Sequence, residues 1–132
     1  MQFRNFIETV YYHATTPENA ESILRTGIDV SKQRGGLFSG FYLSPHPGYF
    51  DSFSGDKKVI LAVEVDDKQI MDIKDISDDD LTAADEHWRM MSPGWKNTLI
   101  TRISKEKGFN GLKNGSEIIL FNDKSIKSIR KL

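Results

Sequence analysis

The sequence has no cysteine. That absence excludes a disulfide framework, a thiolate metal site and a cysteine nucleophile. It fits a reducing compartment and fits equally a protein that unfolds for export. Histidine is scarce as well: only His13, His46 and His87 occur, in unrelated contexts and without ligand spacing. No metal is expected from them. An excess of one charge is also lacking, since 18 basic and 19 acidic residues leave a formal net charge of −1. Such a chain makes no global field that would draw in nucleic acid or a membrane surface. No window approaches the ~18 apolar residues that span a bilayer. MQFRNFIETV carries neither the apolar core nor the cleavage site of a secretory signal. The patterns GxGxxG, GxxxxGK[ST] and GxSxG are missing too, which removes support for a Rossmann site, a P-loop and a nucleophile elbow.

What is present suits one soluble domain. The 132 residues are 38% hydrophobic and 28% charged, with eight phenylalanines and two tryptophans. A chain this aromatic can offset its ordering entropy. No repeat, low-complexity tract or long linker divides it, so residues 1–132 read as a single domain.

Along the chain, TVYYHA (9–14) predicts a strand, β-branched and aromatic. Thr16 then suits a helix N-cap and Pro17 the first helical position, with Gly27 as the stop. FYLS (41–44) predicts a short second strand closed by Pro45, and HPGYFDSFSG a turn with one or two helical turns. KKVILAVEV is apolar throughout Val59–Val63 and predicts a central strand. Residues 66–92 are acidic, with a helix expected around LTAADEHWRMM. Pro93 opens a helix whose buried face is expected to carry Trp95, Leu99, Ile103 and Ile100. FNGL, EIILF and SIKSI predict three closing strands. The basic run KSIKSIRKL reads as an edge strand with a charged outer side. Strands in runs, rather than alternating with helices, make the fold class α+β.

Three residues stand where chemistry is possible. His13 closes the first strand just before a helix; Tyr42 sits in GLFSGFYLSPHP between glycines; Glu117 opens an otherwise apolar strand in KNGSEIILF. Each alone has a plain structural reading: a satisfied strand-end histidine, a core tyrosine and a solvated strand-end acid. Their order along the chain points further. YYHATTPENAESILRTG, GLFSGFYLSPHPGYF and KGFNGLKNGSEIILFNDKSIKSI resemble, in sequence and spacing, the three motifs of the ADP-ribosyltransferase superfamily. The branch is the H-Y-E one, shared by diphtheria-type toxins and poly(ADP-ribose) polymerases.

That resemblance implies a split core of two small, mostly antiparallel sheets with flanking helices. It implies NAD as co-substrate, no metal, and cleavage of the nicotinamide–ribose bond through an oxocarbenium-like centre. Glu117, His13 and Tyr42 would be the catalytic set. Glu117 would hold the nicotinamide ribose and steady the developing charge, and His13 would bind the adenosine ribose. Tyr42 would stack on the cationic nicotinamide ring. Ala14 would hold the carboxamide through its backbone, with Thr15 beside it. Phe53 would supply a second ring, with Tyr49 and Phe50 as the alternatives. Gly115, two residues before Glu117, stands where arginine-directed transferases carry an acidic residue, which disfavours guanidinium as acceptor. Mono-transfer to a macromolecule, protein rather than nucleic acid, is the expected activity of a monomer, bacterial or phage toxin or effector in character. It would act in the cytoplasm of its own cell or of a target. NAD hydrolysis, or a non-catalytic module binding a nucleotide or partner, are the alternatives.

Overall fold

The computed structural model describes residues 9–28, 38, 40–47 and 58–132. Among these residues, seven strands and three α-helices follow one another as β1 (Thr9–Thr15), α1 (Pro17–Thr26), β2 (Phe41–Leu43), β3 (Val59–Val65), β4 (Ile70–Asp72), α2 (Asp78–Ala84), α3 (Pro93–Glu106), β5 (Gly111–Asn114), β6 (Glu117–Leu120) and β7 (Ile126–Lys131). They form two sheets. The first has the order β1-β3-β7 and is antiparallel; the second has the order β2-β6-β5-β4, antiparallel except for the parallel pair β4 and β5. The architecture is α+β, as the succession of elements in the sequence requires.

Local chemistry accounts for the first turn of the chain. The Thr16 hydroxyl accepts a hydrogen bond from the Asn19 N–H, Pro17 occupies the first helical position, and the helix stops at Gly27 with φ 88°. An L-residue with a side chain is rarely stable there. Ser77 starts α2 with a full capping box: its hydroxyl accepts from the Asp80 N–H while the Asp80 carboxylate accepts from the Ser77 N–H.

Burial explains the layering. The register of β1 on β3 sets Tyr11 against Val63 and His13 against Leu61, so these side chains share one face. Tyr11, Leu61, Val63 and Val65 of that face pack on Phe41, Leu43, Ile118 and Leu120 of the second sheet, with Ala20 of α1 alongside. Ile119, between Ile118 and Leu120, points the other way into a cluster with Phe38, Met71 and Leu112. β6 is therefore buried on both faces, which is why EIILF reads as a continuous apolar run. A third cluster, Leu81, Trp88, Leu99 and Ile103, welds α2 to α3.

Two expectations change in detail, and β7 adds a feature of its own. The helix placed around LTAADEHWRMM starts earlier, at Asp78, and ends at Ala84, because Asp85 is extended at φ −159° and ψ 116°; Trp88–Met90 form a separate 3-10 turn. Trp95 is not part of the buried face of α3 but is 58% exposed. It lies in the first turn, before the helix reaches α2, whereas Leu99 and Ile103 do pack on Leu81 and Trp88. In β7 simple alternation would put Ile126 and Ile129 on opposite faces. A register shift between Glu64 and Val65 sets Ser128 against Glu64 and Ile126 against Val65, leaving Lys127 as the extra residue of a bulge. Both isoleucines thereby join the main core.

Candidate functional site

Among the described residues the two sheets pair edge to edge at one point. Tyr12 and Ser44 form an isolated antiparallel bridge, with the Tyr12 N–H donating to the Ser44 carbonyl at 2.7 Å and the Ser44 N–H donating back at 2.9 Å. His13 follows Tyr12 directly. Leu43, which precedes Ser44, pairs with Ile118, and Glu117 stands just before Ile118. Tyr42 pairs with Ile119, so Tyr42 and Glu117 project from the same face of the second sheet. The three positions expected from the sequence thus fall within two residues of one lateral row across β1, β2 and β6.

His13 is the most constrained of them. Its Nδ1 lies 2.9 Å from the Tyr42 carbonyl oxygen, and its ring stacks on Phe41 at 4.1 Å between centroids with 28° between planes. A carbonyl oxygen only accepts, so Nδ1 carries the proton. Burial holds the imidazole pKa below its ordinary value, against a smaller opposing effect of the Tyr42 carbonyl. At neutral pH the ring is uncharged, and Nε2, which has no protein partner among the described residues, is a hydrogen-bond acceptor.

Tyr42 is fixed at its far end. Its hydroxyl accepts from the Phe38 N–H at 2.7 Å and donates to the Phe38 carbonyl. A hydroxyl spent in this way holds the ring still and is poorly placed for proton transfer. The ring is half-buried against the cluster of Phe38, Met71, Leu112 and Ile119. Glu117 is also half-buried and opens β6 after the turn that contains Gly115, whose φ is 65°.

Ala14 and Thr15 end β1 opposite Ile60 and Val59. In an antiparallel strand alternate residues direct their N–H and C=O to opposite edges. The Tyr12 groups point to β2, so those of Ala14 point there too, beyond the single bridge. Among the described residues they meet no partner. This open donor–acceptor pair is the site feature that composition and motif spacing could not reveal, because it depends on where pairing stops.

Tyr49, Phe50 and Phe53, the candidates for a second stacking ring, lie outside the described residues. A separate groove of about 550 Å³ runs between α1 and the ends of β3 and β7, past Leu24, Arg25, Val59 and Lys131, and takes in none of the three expected site residues. Among the described residues no group of three or more histidines or acids could hold a metal ion, and no helix is long and apolar enough to cross a membrane. Comparison with protein-family models, with curated proteins and with solved structures yields no match to the chain.

Proposed function

We propose that the chain is an NAD-dependent mono-ADP-ribosyltransferase, with the split two-sheet core of that superfamily as its scaffold. The observation that carries the reading is the bond from His13 Nδ1 to the Tyr42 carbonyl, made beside the strand that Glu117 opens. It ties β1 to β2, the neighbour in its sheet of the strand that Glu117 opens.

The chemistry follows from what each group can do there. Nε2 of His13 accepts a hydrogen bond from a ribose hydroxyl. The Ala14 N–H and C=O complement the C=O and NH2 of the nicotinamide carboxamide. The Tyr42 ring offers a face to the cationic pyridinium, worth about 0.5–2 kcal/mol. Glu117 holds a nicotinamide-ribose hydroxyl and stabilises the positive charge that grows as the C–N bond breaks. Nicotinamide leaves with the bonding pair and becomes neutral; a nucleophile on the acceptor then attacks the ribose carbon and gives up its proton.

Incubating the protein with labelled NAD and a lysate tests the reading. Label on macromolecules is expected. Nicotinamide release without label replaces transfer by NAD hydrolysis, and NAD binding without turnover replaces both by a non-catalytic binding module. Glu117→Gln is expected to bind NAD within a few-fold of wild type and to lose turnover by at least 100-fold, since it acts on the transition state. Unchanged turnover would sink the mechanism.

A further inference from the structure

The seam between the sheets stops one pair short of what its register allows. Tyr12 opposite Ser44 is a pair that exchanges both of its hydrogen bonds. In a regular antiparallel ladder the next such pair lies two residues on, Ala14 opposite Tyr42. There the Ala14 N–H would donate to the Tyr42 carbonyl and the Tyr42 N–H to the Ala14 carbonyl. Neither bond forms. The Tyr42 carbonyl is taken instead by His13 Nδ1 at 2.9 Å.

The edges confirm the geometry. Leu132 donates to the Ile60 carbonyl, so Ile60 and Ala62 turn their backbone groups toward β7. Leu61 and Val63 then turn theirs toward β1, and meet those of His13 and Tyr11. The groups of Tyr12 and Ala14 are left for β2. On β2 the same alternation gives Phe41 and Leu43 to β6 and Tyr42 to β1. The imidazole therefore occupies the acceptor that would close the seam. Phe41, fully buried, backs the ring at stacking distance and keeps it there.

We infer that His13 is a wedge: by taking the Tyr42 carbonyl it keeps β1 and β2 apart past their single bridge, and so holds open the Ala14 backbone pair that receives a primary carboxamide. The ligand half of this statement rests on the proposed NAD chemistry; the wedge itself does not. His13 is in this respect a positioning residue, in addition to any contact Nε2 makes. Removing the imidazole frees a carbonyl facing a backbone N–H in register, and the ladder extends by one pair across the site.

Residue-resolved amide hydrogen exchange tests this without NAD. In the wild type the Ala14 and Tyr42 amides are expected to exchange as unpaired groups, far faster than those of Tyr11 and His13 in the same strand. His13→Ala is expected to slow both at least tenfold. His13→Asn places an amide nitrogen where Nδ1 stands and is expected to retain fast exchange, although it lacks Nε2. Slow Ala14 exchange in the wild type, or fast exchange retained in His13→Ala, overturns the wedge. The wild-type arm needs no variant, so a His13→Ala chain that fails to fold does not remove the test. Nicotinamide alone is the probe for the second half: it is expected to slow the Ala14 amide in the wild type and His13→Asn. No effect there, with the ligand-free pattern as expected, overturns carboxamide capture and leaves the wedge standing.

Discussion

β1 has two edges, and they are treated very differently. Toward β3 it is paired over its whole length, from Thr9 on Val65 to Thr15 on Val59. Toward β2 it is paired once among the described residues, at Tyr12. The zipped edge is backed by Leu61, Val63 and Val65, each fully buried. The open edge carries the His13 ring, the Tyr42 carbonyl and the groups of Ala14, which meet no partner among the described residues. The same seven residues thus serve the core on one side and the candidate site on the other. The contrast puts the candidate site at the place where hydrogen bonding that the backbone could make is withheld.

Substitutions can break either side of this comparison. The largest effect is expected from Gly40→Ala, just before β2. Gly40 has φ +151°, and a Cβ there would stand 2.7 Å from the Leu120 carbonyl and 2.5 Å from the Ile119 side chain. Backbone cannot give way at the paired edge of β2 and β6, so a loss of about 3–4 kcal/mol or more in urea unfolding is expected. Leu61→Ala breaks the zipped edge by leaving a cavity in the main core, and a loss of about 2–5 kcal/mol is expected by the same measurement. It should leave the Tyr12–Ser44 bridge in place, read as continued protection of those two amides.

The smallest effect sharpens the open edge. His13 has a folded pKa below the ordinary 6.5, so the unfolded chain takes up its proton first as pH falls. Stability from this group is complete above about pH 6.5 and is lost as pH drops toward the folded value. Unfolding free energies at pH 8 and pH 5.5 should differ by a component that His13→Asn removes. A wild type and variant with superimposable profiles over that window would mean that His13 is not held neutral by burial.

Most of the elements could be read from the residues, because each carries its own signal. Thr16 and Pro17 announce α1, the apolar run Val59–Val63 announces a central strand, and Pro93 announces α3. The parallel strand β4 could not be read: three residues, Ile70–Asp72, among acidic 3-10 turns offer no periodicity, and their pairing with Gly111–Lys113 is a long-range fact. Trp95 misled because helical spacing does not say where along a helix its neighbour begins. For the candidate site, the motif order singled out His13, Tyr42 and Glu117, and the fold brings their strands together. The split seam was hidden, since no residue signals by its type that a neighbouring pair will not form.

The order β1-β3-β7 also bears on how the chain reaches this state. The Ser128 hydroxyl donates to the Glu64 carboxylate at 3.0 Å across a separation of 64 positions, and every pair between β3 and β7 is comparably distant. Local turns cannot nucleate such pairing, and the closure entropy is paid before any contact rewards it. While β7 is unpaired, VILAVEV presents an apolar strand edge with which other chains can pair. The charged residues and the bulge of β7 then cap it. β7 is the strand that makes this sheet safe.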